Sequence, residues 1–291
     1  MHPTGASSRR KSRRSVGRNR KIRRTGSEQA EDMKRSPILS SHPSPLPEVT
    51  AATIIACADS GAEPMKLLTD DGEFYWCKFV NNPHGLESVV FELMVTVLGK
   101  AIGAPIPDAA TVTIPPPIAY SKRFKDGRAV AERGFGSLHV ENVTESDQVQ
   151  NVLNDGNPDR LPRLFALAEL CMANDFQVLY QDSDDQKAFG FDFGFWVGNF
   201  GATWDLSYVQ SETTTSYTDE DWNGVQLKSD ALLEVRNTVS ELSESDFLAT
   251  AGAVPADWDF SPKLAQDIAE SLWKRKSLTL DSIDQKLKEV S

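Results

Sequence analysis

The stretch from Asp175 to Gly194, DFQVLYQDSDDQKAFGFDFG, constrains this chain most. Phe176 to Tyr180 is strand-like and Gln181 to Gln186 is a polar turn. Lys187 to Phe193 is strand-like again, with Phe189, Phe191 and Phe193 alternating. Two such runs about a polar turn predict a β-hairpin. Folded between Ser183 and Asp184, the hairpin sets Asp175 opposite Asp192 and Gln177 opposite Gly190. Asp175 and Gln177, two residues apart, share a face. Two carboxylates and an amide then meet at the open end. Like charges directly opposed on a sheet are destabilising. A bound divalent cation removes the conflict, because Mg²⁺ favours oxygen ligands. The plainer alternative is a pair of solvated carboxylates at a frayed strand end.

Upstream, Leu67 to Val80 (LLTDDGEFYWCKFV) reads as two strands about an Asp70-Asp71-Gly72 turn. Phe74, Trp76, Lys78 and Val80 share one face of the second strand. An ammonium among large apolar side chains needs an anionic partner, or else it snorkels from an edge strand. Leu86 to Ile102 carries apolar residues at helical spacing, and Gly103 and Pro105 end the helix. Glu92 falls off its apolar stripe, which suits either a solvated face or a cleft. Ala109 to Ile114 is a short strand. Gly134-Phe135-Gly136-Ser137 reads as a flexible connection. The first half is thus a small α+β unit.

Beyond the hairpin the pattern is mostly helical. Arg160–Asn174, Leu227–Val239 and Glu241–Ala251 are expected helices. Ser261-Pro262 is an N-cap and first-turn pair opening another, and Ser277–Val290 reads as a final one. Asn199 to Gly224 is expected to be a long loop or short helices near the site, where a substrate could bind.

The net charge of -11 hides a split. Residues 1–40 hold 12 Lys and Arg against 3 Asp and Glu, and the remainder holds 19 against 39. Arg9 to Arg24 (RRKSRRSVGRNRKIRR) has little to bury and reads as a disordered tail. It suits either nucleic-acid contact or a solvated extension, with Met33 as an alternative start. Residues 36–47 continue as a Pro- and Ser-rich linker, so residues 1–48 stand apart from a domain over 49–291. Three widely spaced cysteines form neither a disulfide framework nor a metal cluster. No apolar run approaches the roughly 20 residues of a membrane helix. The expectation is a cytoplasmic protein with no membrane contact.

Asp192-Phe193-Gly194 spells the metal-binding tripeptide of kinases. In phosphoryl transfer a Lys neutralises phosphate, a Glu holds that Lys, one Asp orients the attacking hydroxyl, and an Asn-type ligand and a second Asp hold Mg²⁺. Lys78, Glu92, Asp175, Gln177 and Asp192 follow that order. Tyr75–Phe79, Phe91–Leu93 with Ile102–Pro107, Gly134–Ser137, and Asn174-Asp175 through Asp192–Gly194 carry a resemblance to the HipA-like kinases, specifically their compact stand-alone bacterial branch. Val254–Trp258 and Leu272–Arg275 are similar too.

The resemblance implies a two-lobed protein-kinase-like fold, with a small β-rich N-lobe (about 49–130) and a mostly helical C-lobe (about 131–291). It implies ATP and Mg²⁺, with Lys78 and Glu92 at the nucleotide, Asp175 as the catalytic carboxylate, and Asp192 and Gln177 at the metal. It also implies a protein Ser or Thr acceptor, and leaves room for a cognate regulator. The chain departs from the better-known members in its Asp175-Phe176 start, its shortened catalytic loop and its lack of a clear Gly-rich loop before Lys78. Those departures define the competing expectation, a pseudokinase-like module that binds nucleotide or a partner.

Overall fold

The computed structural model describes residues 45–199, 204–213 and 219–291. The basic arm and most of the Pro/Ser linker lie outside them, as do parts of the expected substrate loop. Five strands close a small barrel: β1 (Glu48–Cys57), β2 (Met65–Thr69), β3 (Phe74–Phe79), β4 (Ala109–Thr113) and β5 (Arg133–Leu138), in the order β1-β2-β3-β5-β4. Antiparallel pairing joins all neighbours except β1 and β4, which run parallel and close the ring. The expected turn at Asp70–Gly72 joins β2 to β3, with Gly72 at φ 85°. Alternation along β3 sorts its side chains. Tyr75, Cys77 and Phe79 fill the barrel with Val49, Met65, Leu67 and Val112, while Trp76 and Lys78 face outward into a cavity.

One strand of the barrel goes unread in the sequence, and one sequence expectation fails there. β1 was not foreseen, because EVTAATIIAC is mostly exposed and lacks a clean apolar alternation. Gly134–Ser137 is no flexible connection: it lies in β5, paired with β3 on one side and β4 on the other. The chain therefore leaves the barrel after Leu138. The glycines serve close packing here. A Cβ at Gly134 would fall 2.6 Å from both Cys77 Sγ and the Lys78 carbonyl oxygen.

Helix α1 (Leu86–Ile102) runs beside the barrel and is enclosed almost all round, beyond the single apolar stripe read from its sequence. Its environment explains Glu92, which is 3% exposed. The helical wheel allowed a solvated face, and the structure excludes one. The remaining mass is helical: α2 (Pro116–Ala119), α3 (Asn157–Leu170), α4 (Leu206–Ser211), α5 (Asp219–Trp222), α6 (Ser229–Glu241), α7 (Glu244–Gly252) and α8 (Pro262–Val290). Ser261 caps α8 by accepting from the Leu264 N–H at 3.3 Å. The last two expected helices are one continuous helix of 29 residues. Nothing between Leu272 and Leu280 breaks it, since neither Gly nor Pro occurs there.

The predicted hairpin forms from β7 (Val178–Gln181) and β8 (Lys187–Gly190), and β6 (Val143–Ser146) adds a third strand. Its register differs by one residue from the expected one: Val178, not Gln177, pairs with Gly190. The connection has five residues, a 3-10 turn at Asp182–Asp184 followed by Asp185 and Gln186 at φ 45° and 65°. An odd connection centres the fold on Asp184 instead of between two residues. Both strands also stop early, so Asp175 and Asp192 lie beyond the ladder and are not opposed across it. The described residues thus form a mixed α and β fold with a β-rich part and a mostly helical part. Among them no helix is long and apolar enough to cross a membrane. Cys77 and Cys171 are buried free thiols, and Cys57 is exposed.

Gly134→Ala is expected to destabilise the protein by about 1–3 kcal/mol, the range for overpacking a filled site. Urea unfolding of the variant against wild type checks this, and an unchanged midpoint would mean that the strands part easily.

Candidate active site

Lys78 reaches from β3 into the cavity and carries the ion contacts of the site. Its Nζ donates to Glu92 of α1 and to Asp192 Oδ1, the latter at 2.5 Å. Two partners resolve the question posed by an ammonium on an apolar strand face. Burial works against the Lys78 charge, yet the Asp192 and Glu92 carboxylates outweigh it and hold the pKa above the ordinary lysine value. Burial pushes Glu92 up, with the Lys78 ammonium opposing it. For Asp192, burial is overcome by Lys78, so its carboxyl sits below the usual range and stays ionised.

Backbone conformation aims Asp192. The residue has φ 57° and caps a 3-10 turn over Phe193–Phe195. Left-handed backbone is uncommon outside Gly, though Asp tolerates it. Phe193 leaves the strand alternation and packs in the core edge-on to Trp196, ring centroids 4.7 Å apart. Gly194 lies against this centre, where a Cβ would come within 3.4 Å of Lys78 Nζ and of Ser88. Asn199, buried, donates to the Gly194 carbonyl at 2.7 Å and fixes the segment from its far side.

The structure brings four of the five expected site residues to one cavity of about 460 Å³: Lys78, Glu92, Gln177 and Asp192 line it. Asp175 stands at its edge, exposed and also left-handed at φ 57°. Gln177 Nε2 donates to Asp175 Oδ2 at 3.1 Å, so the expected amide and carboxylate do meet. The volume lies within the range of nucleotide-sized ligand sites, roughly 300–1,000 Å³. Trp76, Phe135, Leu138 and Leu179 supply apolar walls for a planar ring system. Lys78 and Asp192 bring charge to the same cavity.

Sequence reasoning missed several lining residues. The turn between β1 and β2 contributes Ala58, Ser60 and Pro64. Its Asp59-Ser60-Gly61 turn signal was legible, but only to a reading that had found β1. His139 and Glu145 also line the cavity. Trp76 Nε1 donates to His139 Nδ1 at 3.2 Å. Burial, with Lys66, pushes His139 below its ordinary pKa and leaves that nitrogen free to accept. His84, just before α1, is pushed down by burial and by Lys78, against the opposing pull of Asp192 and Asp175.

No cluster of three His, Cys, Asp or Glu side chains suited to a metal occurs among the described residues. Among the residues that line the cavity are the ionised Asp192 carboxylate and the Gln177 amide. That set fits Mg²⁺ as used with nucleotides, where one or two carboxylates hold an ion whose other ligands are phosphate oxygens and water.

No family model matches the chain, and no curated protein does. Among solved structures the fold is similar to CtkA, a proinflammatory kinase of Helicobacter pylori. The identity is 13% and the TM-score 0.57, over 85% of this chain and 100% of that one. Two structures of a Golgi casein kinase, one with Mn and ADP bound, also match. They have 10% and 11% identity and TM-scores of 0.41 and 0.43, covering 84% of this chain and 74% and 75% of theirs. The likeness to CtkA shows a kinase-like fold.

Lys78→Met would leave Glu92 buried opposite Asp192 with no cation. The expected loss is about 3–5 kcal/mol at pH 7, the range for breaking a buried pair. In that variant burial raises the folded-state pKa of Glu92 further above its unfolded value. Stability is then lost as pH rises through that interval and recovered as pH falls. The gap to wild type should therefore narrow between pH 7 and pH 5 in guanidinium titrations, and a constant gap would contradict the assigned pairing.

Proposed function

We propose that the protein is a kinase that transfers the γ-phosphoryl group of ATP, with Mg²⁺, to a hydroxyl acceptor. The observation that carries this reading is the meeting of Lys78, Glu92 and Asp192 in one nucleotide-sized cavity, although Lys78 and Asp192 lie 114 residues apart in sequence. The kinase-like fold supports it. The β-rich part through Leu138 is read as the N-lobe, and the residues from His139 onward as the C-lobe. ATP would place its base between the apolar walls and its phosphates toward Lys78, whose charge Glu92 keeps in place. Mg²⁺, when bound, supplies charge neutralisation at the phosphates, and Asp192 and Gln177 are the residues that would hold it. Asp175, at the open edge, is the group to take the proton as the acceptor oxygen bonds to the γ-phosphorus. The bond to the bridging oxygen breaks and ADP leaves.

The finer assignment, to the HipA-like kinases with a protein Ser or Thr as acceptor, is supported by the residue stretches that carry the resemblance. A second reading, a nucleotide-binding module without transfer, draws on one observation. Asp175 is exposed, and its carboxylate accepts from Gln177.

Purified protein with radiolabelled ATP separates the readings. Asp192→Asn and Asp175→Asn are each expected to cut transfer roughly 10²-fold or more, the range for losing a positioned catalytic group. Asp175→Asn should keep its ATP binding. Wild type that binds ATP but transfers nothing would establish the binding module. Wild type that binds none would sink both readings.

A further inference from the structure

Gly61, in the turn between β1 and β2, lies directly on the His84 imidazole. A Cβ built at Gly61 would fall 2.3 Å from His84 Nε2 and 2.7 Å from Cε1. No ordinary side chain approaches that closely, so the turn settles there only because residue 61 has none. The imidazole also meets Phe195, with ring centroids 4.8 Å apart and planes at 51°. Phe195 closes the 3-10 turn that Asp192 caps. The loop carrying the ring is fixed from below. The His84 N–H donates to Asn82 Oδ1 at 2.8 Å, and the buried Asn82 amide donates to the Phe79 and Gly85 carbonyls, each at 3.0 Å. His84 is thus a wedge between the turn that borders the cavity and the segment that follows Asp192.

We propose that His84 is a positioning residue that seats the Ser60–Gly61 turn over the phosphate end of the cavity and couples the turn to the Asp192–Gly194 segment. The inference rests on the kinase reading for its ligand, a nucleoside triphosphate. Ser60 lines the same cavity as Lys78 and Asp192. Successive backbone N–H groups of such a turn are what phosphate oxygens need. The far side of the turn is tied down separately, by the Lys125 N–H donating to Glu63 at 2.8 Å and by the buried Ala62, so removing the ring frees the Ser60–Gly61 tip in particular.

The test uses the full-length protein, with Mg-ATP and adenosine as probes. His84→Ala should raise KM for ATP about tenfold and leave kcat within about twofold, the pattern of lost uniform binding. Adenosine affinity should not move, because adenosine has no phosphates. Gly61→Ala alone should give the same defect, since its methyl group displaces the ring. The double variant should be no worse than either single one, because without the imidazole the methyl group meets nothing. That non-additivity marks direct coupling. An additive double variant, or equal losses for ATP and adenosine, would overturn the proposal. Hydrogen exchange over residues 57–66 keeps the two readings apart. Exchange there should rise in His84→Ala and in Gly61→Ala while the melting temperature holds. Unchanged exchange overturns the seat and leaves the kinase reading standing. Raised exchange in a protein that transfers no phosphate overturns the kinase reading and leaves the seat standing.

Discussion

Everything at this site depends on keeping one ammonium charged in a place that disfavours charge. Lys78 is 8% exposed, and burial works against its charged form. Two carboxylates from distant parts of the chain outweigh this. The constraint works in both directions. Glu92 sits in an enclosed helix, met by Lys78 and by the Phe193 backbone N–H, and Asp192 keeps its charge beside Glu92 chiefly through Lys78. The barrel, α1 and the segment after the hairpin are thereby held in one register by a three-membered ion cluster. A buried ion pair is weak evidence for net stability, since desolvation offsets much of the attraction. A cluster that costs this much and faces a cavity is better understood through what it binds.

The fold was legible where local chemistry settles local structure. The Asp70–Gly72 turn, the β3 alternation, α1 with its glycine stop and the Ser261 cap all follow from nearby residues. Errors arose where a distant partner decides. Gly134-Phe135-Gly136 looks flexible in sequence, yet β3 and β4 make it a strand, and its small residues let those neighbours approach. β1 gains its identity from pairing with β2 and β4, not from its own pattern. The hairpin register turned on whether its connection holds an even or an odd number of residues, which Asp185 and Gln186 decide through left-handed backbone.

The site was legible in its residue types more than in its geometry. Opposed carboxylates on a ladder were the argument that singled out Asp175 and Asp192, and the ladder ends before it reaches either. They converge on the cavity's edge and wall by another route, two left-handed residues that redirect the chain after α3 and after β8. Glu92 shows the opposite lesson. A wheel assigns faces relative to one apolar stripe, and it fails for a helix enclosed on every side.

The parallel pairing of β1 with β4 has a consequence for how the molecule forms. Glu48 meets Thr111 across some sixty residues of chain, whereas the antiparallel pairs β1–β2 and β2–β3 join sequence neighbours. Loop closure costs entropy before the contact returns any, which makes non-local pairing slow. Barrel closure is then a late event, preceded by an interval in which the outer edges of β1 and β4 lack their partner. Open strand edges invite pairing with other chains. The barrel that borders the cavity therefore carries open strand edges until its ring closes, and slower production at lower temperature would favour the closed ring.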